Sequence, residues 1–292
     1  MTERRLNLTV TEVRKVDDLL RKELCCSSAV IRTAKGYPDG ILLDGVHATT
    51  AQTARPGQVL SILLSDRQDG DLVPGQGRVD AVYEDEDLLV VNKAAGMAVH
   101  PGPGHHDDTL GNILTDYYKK RGIPFVYRPA HRLDRSTSGL MVIARHAHGQ
   151  ERLKEQLHTG EFRRTYLALC EGVPARAEGV IDQPIGRADG SVLRREVRCD
   201  GARAVTRYRV MSVKDGRSLV QLELETGRTH QIRVHMAWLG HPLVGDFLYG
   251  TEQPELIGRT ALHSHQLCLK HPLTGEVLAL TAPVPEDMLN LV

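Results

Sequence analysis

The chain has 292 residues, 41% hydrophobic and 25% charged, and its 37 basic and 37 acidic side chains leave no net charge. That is the composition of an ordinary globular protein, long enough for one full-sized domain and a small one. No stretch approaches the ~20 apolar residues of a membrane span. The opening MTERRLNLTV lacks the apolar core of a secretory signal, so no membrane partner is expected and the cytoplasm is the expected compartment. Five scattered cysteines (Cys25, Cys26, Cys170, Cys199, Cys268) show no ligand spacing. They read as free thiols in a reducing compartment, without structural zinc.

Residues 1–66 read as a separate small domain. Residues 16–22 carry helical apolar spacing, and residues 29–32 open a second short helix. Residues 40–47 run into a tight turn at Asp44-Gly45, a hairpin signal, and residues 59–64 form a closing strand after the turn Arg55-Pro56-Gly57-Gln58. Residues 67–78, rich in Gly, Asp and Gln, read as a flexible linker, with a second domain over 79–292.

In that second domain, residues 79–83 and 88–92 read as strands around the acidic turn Glu84-Asp85-Glu86-Asp87. Residues 109–120 form an amphipathic helix with Gly122 just past its end. Next comes the most distinctive stretch, His131-Arg132-Leu133-Asp134-Arg135-Ser136-Thr137-Ser138-Gly139, followed by the apolar run 140–144. The run is too short for a typical helix and reads as a buried strand. The polar segment before it is then a loop at a sheet edge, where a scaffold presents reactive groups. Asp134 lies between Arg132 and Arg135, and flanking arginines favour a carboxylate in its ionised form. An anion ready for attack or proton abstraction and a solvated surface turn are both compatible with these residues.

Residues 146–158 read as a charged helix ending at Gly160, and residues 161–172 alternate as a strand containing Tyr166. Residues 180–209 form an arginine-rich excursion, either a loop that grips RNA or a long exposed hairpin. Residues 194–209 hold six arginines against two acids, and residues 128–164 hold eight Lys/Arg against four. Such surpluses suit phosphate contacts, whereas the neutral total lacks the basic footprint of many nucleic-acid binders. A strand over 219–224 leads to a helix with Thr229 as N-cap, Ile232, Met236 and Leu239 along one face, and Gly240 at its end. His230 and His235, five apart, are ~500° apart on a helix and therefore off one face. With His241 they do not make a metal site. Strands over 261–267 and 277–280 close the chain.

HRLDRSTSGL resembles the active-site signature of the RluA-type pseudouridine synthases. Four further blocks agree in order and spacing: NKAAGMAVHP (92–101), RRTYLALCEG (163–172), TGRTHQIRVHMAWLGHPLVGDFLYG (226–250) and LHS (262–264). Ala94 stands where the family has proline, and Ser264 where alanine is commoner. Residues 1–66, with their LDG turn and RPGQ, resemble the S4 RNA-binding module.

The resemblance implies an α+β fold with a mixed, largely antiparallel sheet, a cleft along it, and a small S4-like N-terminal domain. It implies isomerisation of uridine to pseudouridine in structured RNA, ribosomal RNA first and transfer RNA second, by a monomer with no cofactor or metal. Asp134 would be the catalytic aspartate, as nucleophile at the ribose or as the base that removes a ribose proton, Tyr166 would stack on the target base, and Arg233 would pair with Asp134. Arg132 would fill the space left by the flipped uridine, and Leu262 would form part of the apolar floor beneath it. A non-catalytic RNA-binding or ribosome-assembly factor is the alternative, but it would not need Asp134, Tyr166 and Arg233 together. A kinase-like use of the aspartate is disfavoured, because a kinase loop reads HRDLxxxN and follows a glycine-rich loop absent here.

Overall fold

A computed structural model of the chain describes residues 3–291. The apolar run after Gly139 is a strand, Ser138–Ala144, buried along its whole length. It pairs antiparallel with Leu88–Lys93 and, through Ser138 and Gly139, parallel with Leu262–Lys270. A strand covered on both faces shows a continuous apolar run in place of alternation. Alternate side chains therefore serve two cores. Leu89, Val91, Met141 and Ile143 pack with the helices Leu110–Lys119 and Gln231–Trp238. Leu88, Val90, Leu140 and Val142 pack with Leu153 of the helix Ala147–Thr159.

The main sheet runs Glu178–Asp182, Val205–Lys214, Arg217–Leu224, Arg163–Glu171, Leu262–Lys270, Ser138–Ala144, Leu88–Lys93, Ala81–Glu84. Arg128–Pro129 and Val277–Thr281 pair beside this path. Only the contact of Ser138–Ala144 with Leu262–Lys270 is parallel, which gives the mixed, largely antiparallel sheet expected from the sequence. Leu262–Lys270 stands at its centre. On one side lie the strands drawn from residues 81–144, and on the other those from 163–224. Gly139 makes the central approach possible: its φ is +109°, and a Cβ there would lie 2.3 Å from Ser264 O. Ser264, the departure from alanine, donates its hydroxyl to Leu140 O at 3.0 Å and so ties the same two strands.

Residues before 66 build a four-stranded sheet in the order Arg5–Thr9, Val59–Leu63, Ile41–Leu43, Val46–His47. Its own core includes Val16, Leu20, Ile31, Ile41, Leu60 and Ile62. The helix expected over 16–22 is α-helical only at Val16–Asp18, then widens to a π-helical turn at Leu19–Glu23, closed by Leu24 N–H on Leu19 O. The wider turn lets two adjacent leucines, Leu19 and Leu20, both enter the core. Ser27 caps the helix Ser28–Lys35 and donates its hydroxyl to Glu151 at 2.6 Å, touching the larger body.

Residues 66–78 contain no helix or strand but lie along the larger body. Gly70 N–H bonds Phe125 O, Asp69 accepts Phe125 N–H, Gly75 N–H bonds Asn112 O, and Asp66 pairs with Arg128. The acidic turn is likewise engaged. Buried Asp87 accepts a two-pronged bond from Arg4 at 2.8 Å and one from His146 Nε2 at 3.0 Å, while Asp85 meets His271 at 2.9 Å. The arginine-rich excursion contains the hairpin Ile185–Arg187 and Arg195–Val197, and Arg198 beside it is held by Asp189 and Asp200. Among the described residues no helix is long and apolar enough to cross a membrane.

Candidate active site

The loop carrying Asp134 is clamped before it enters the central strand. Thr137 N–H closes a turn on Asp134 O at 3.1 Å, and Gly96 N–H bonds Arg135 O at 2.8 Å. Lys93, buried at the end of its strand, points its ammonium at Ala94 O (2.8 Å), Met97 O (3.0 Å) and Arg135 O (3.3 Å). It thereby ties the 94–97 turn to the aspartate loop. Burial pushes the Lys93 amine down to about 7, against the pull of Asp134.

Across the sheet, the helix Gln231–Trp238 presents Arg233, only 2% exposed. Its Nη1 donates to Asp134 Oδ2 at 3.3 Å. Its Nε and Nη2 donate to Asp246 at 2.7 Å each. Asp246 is wholly buried, and its Oδ1 also accepts the N–H groups of Leu248 and Tyr249. Burial opposes the guanidinium charge, but the Asp246 carboxylate more than offsets it, so Arg233 titrates above its ordinary value. The Phe247 and Tyr249 rings cover the guanidinium at 5.3 and 5.0 Å, within cation–π range.

The arginines adjacent to Asp134 in sequence do not hold it. Arg135 turns away to His105 Nε2 at 2.9 Å, and Arg132 is exposed on the wall of the cleft. Long flanking side chains on a loop diverge, so the charge that reaches Asp134 comes from a helix 99 residues on. The helix cap also differs from expectation. The N-cap is His230 and not Thr229, with φ of +58°, no side-chain cap bond, and Nδ1 2.8 Å from Tyr249 Oη. His230 Nε2 lies 4.0 Å from Asp134, and burial lowers its pKa and favours the neutral ring.

Tyr166 and Leu262 stand on adjacent strands, 3% and 4% exposed, with Leu224 and Ile232 beside them and Asp134 at the rim. Burial pushes the Tyr166 phenol up, so it stays neutral. The pocket they enclose with Arg233 has a volume of about 60 Å³, the share of about two waters. It adjoins an open cleft of about 980 Å³, and Arg132 and Arg228 line both. Asp134, Tyr166, Arg233, Arg132 and Leu262 thus come together in one place.

Residues 87–238, just over half the chain, match the family model described as RNA pseudouridylate synthase. The chain belongs to this family. As an RNA pseudouridylate synthase it is an isomerase that acts on uridine in RNA. It is 39% identical over 271 residues to the uncharacterized RNA pseudouridine synthase YjbO of Bacillus subtilis (strain 168), covering 92% of this chain and 95% of the relative. It is 40% identical over 265 residues to the ribosomal large subunit pseudouridine synthase D of Xanthomonas campestris pv. campestris, covering 86% and 79%. Among solved structures, the human RNA pseudouridylate synthase domain containing 1 superposes with a TM-score of 0.59 at 28% identity, over 73% of this chain and 86% of that one.

Sequence reading assigned no role to Asp246, His230, Tyr249 or Lys93 of this synthase. Asp246 had a signal, because a buried arginine with donors on three nitrogens is better satisfied by a second carboxylate, and Gly245-Asp246 lies in the same block. Lys93 had a weaker one, a lone lysine ending an apolar strand. His235 and His241 are occupied separately, at Thr206 Oγ1 with Gln183 O and at Glu171 O.

Proposed function

We propose that this synthase modifies ribosomal RNA, acting as a cytoplasmic monomer without cofactor, with Asp134 as the group that acts on the ribose. The observation that carries the assignment is that Asp134 is the only carboxylate lining the small pocket, with Arg233 at 3.3 Å and the Tyr166–Leu262 floor beneath. The ribosomal assignment rests on relatives named ribosomal large subunit pseudouridine synthase D at 40% identity. Residues 1–66 are assigned as an S4-like RNA-binding domain, 67–78 as its connection and 79–292 as the catalytic domain. The S4 assignment is supported by the order of two short helical segments, a hairpin and a closing strand.

The target uridine leaves its stack at a cost of a few kcal/mol, and Arg132 occupies the space it vacates. Asp134 acts as nucleophile at C1′ or as the base that takes a ribose proton. The C1′–N1 bond breaks and the uracil rotates between Tyr166 and Leu262. C5 then bonds to C1′, C5 loses its proton, N1 gains one, and the enzyme is regenerated. Arg233 aims the Asp134 carboxylate.

The test is pseudouridine mapping of total RNA from cells with the gene, without it, and rescued with wild type or Asp134→Asn. One or a few ribosomal sites should vanish with the gene and return only with wild type. Sites confined to transfer RNA would overturn the ribosomal assignment. Wild-type-like rescue by Asp134→Asn would overturn the role of the aspartate.

A further inference from the structure

The described residues bury two arginines. Arg233 is matched by Asp246. Arg164, 8% exposed, has no carboxylate, and its Nε has no hydrogen-bond partner. It stands on the strand Arg163–Glu171, two residues before Tyr166 and therefore on the same face, about 7 Å along the strand. The ionisable groups nearest it supply no negative charge: burial, reinforced by Arg164 itself, holds His131 down to about 3, and Tyr166 stays protonated. Gly227 leaves room for the guanidinium, since a Cβ at that position would come within 3.1 Å of Arg164 Nη1. The fold therefore builds a seat for a buried cation and leaves its counter-charge out.

A buried charge without a partner is costly, and the usual compensation is a paired anion. The open side of Arg164 is the cleft of about 980 Å³, also lined by Arg132, Lys154, Arg203 and Arg228. The cleft's two acids are Asp134, which is held by Arg233, and Glu225, which is held by Arg207 at 2.6 Å. An anion with paired oxygens suits a guanidinium fork. In a protein whose substrate is RNA, the phosphodiester is the abundant anion of that shape.

We propose that Arg164 docks one backbone phosphate of the RNA next to the target uridine, fixing the strand while the base lies on Tyr166. The inference rests on the reading of Tyr166 as the base platform. Arg164 is a positioning residue, and its contact should register as counterion release.

The probe is unmodified large-subunit ribosomal RNA transcribed in vitro. Its dissociation constant is measured against salt concentration for Asp134→Asn alone and combined with Arg164→Gln or Arg164→Met. Loss of the contact should weaken binding roughly ten- to hundredfold and reduce the slope of log Kd against log salt by about 0.7–0.9. The melting temperature of free Arg164→Met should hold or rise, because an uncompensated buried charge has been removed. An unchanged salt slope in both double variants would overturn the phosphate site and leave the isomerase reading standing, as would a drop in melting temperature with binding intact. Absence of salt-dependent binding by Asp134→Asn itself would overturn the ribosomal reading and the site together.

Discussion

Arg233 grips Asp246 with two nitrogens at 2.7 Å and reaches Asp134 with the third at 3.3 Å. The pairing with Asp246 is buried on both sides, whereas Asp134 is a quarter exposed. Asp246 therefore sets the direction in which the guanidinium points, and Asp134 receives what the fork has left.

Removing that support should be felt twice. Asp246→Asn leaves a buried guanidinium short of its counter-charge, which should cost about 3–5 kcal/mol of stability. It should also lower kcat more than it changes KM, since the RNA surface is untouched. Thermal denaturation and release of tritium from C5-labelled uridine in RNA measure the two effects. Arg233→Lys should lose most activity as well, because one ammonium cannot serve two carboxylates with a planar fork. An Asp246→Asn enzyme with wild-type kcat would show that Asp134 needs no aimed partner.

Lys93 gives the folded state a distinct pH response. Its amine titrates at about 7 in the fold, against 10.5 ordinarily, because it is buried. Between these values the unfolded chain binds a proton that the folded chain does not, so stability should rise with pH over that window, by up to about 1.4 kcal/mol per unit. Below pH 7 the penalty is fully present and the contribution is flat. Denaturant titrations from pH 6 to 10 should show the rise, and Lys93→Met should remove it. Because the same amine ties the 94–97 turn to Arg135 O, Lys93→Met should also reduce kcat by loosening the Asp134 loop.

Asp87 responds in the opposite range. Burial works against its charge, but bonds from His146 and Arg4 outweigh it and hold the carboxyl down to about 2, from 3.8. Its contribution, about 2 kcal/mol from that shift, is complete above pH 4 and lost as pH falls through 2. Asp87→Asn should flatten the acid limb of the stability curve. It should also expose residues 66–78 to protease sooner, because Arg4 no longer anchors the N-terminal unit to the acidic turn. Equal cleavage rates would show that Ser27–Glu151 and Asp66–Arg128 hold the units unaided.

Legibility in the sequence followed the range of the interaction. The strands at 88–92, 140–144 and 219–224, the Thr109-capped helix and the Asp44-Gly45 turn are set by neighbours a few residues away, and each was readable. The cap at His230 was not, because its left-handed backbone accompanies a bond to Tyr249, 19 residues on. Proximity misled in one instance: Arg132 and Arg135 flank Asp134, yet the cation that meets it is Arg233. The partners of the acidic turn were unreadable for the same reason, since Arg4, His146 and His271 arrive from three distant segments. Composition hid Arg164 among seven other basic residues of 128–164; only burial without a partner set it apart.

The position of Leu262–Lys270 at the centre of the sheet has a consequence for synthesis. Asp134 belongs to the half of the sheet made first, Tyr166 and Arg233 to the half made next, and the strand that joins them is translated near the end. All three side chains have then been synthesised before the strand that sets Asp134 at working distance from the other two. A nascent or truncated chain ending before Leu262 would carry Asp134, Tyr166 and Arg233 but lack both the floor residue and the strand that joins the two halves, so it should mark no RNA.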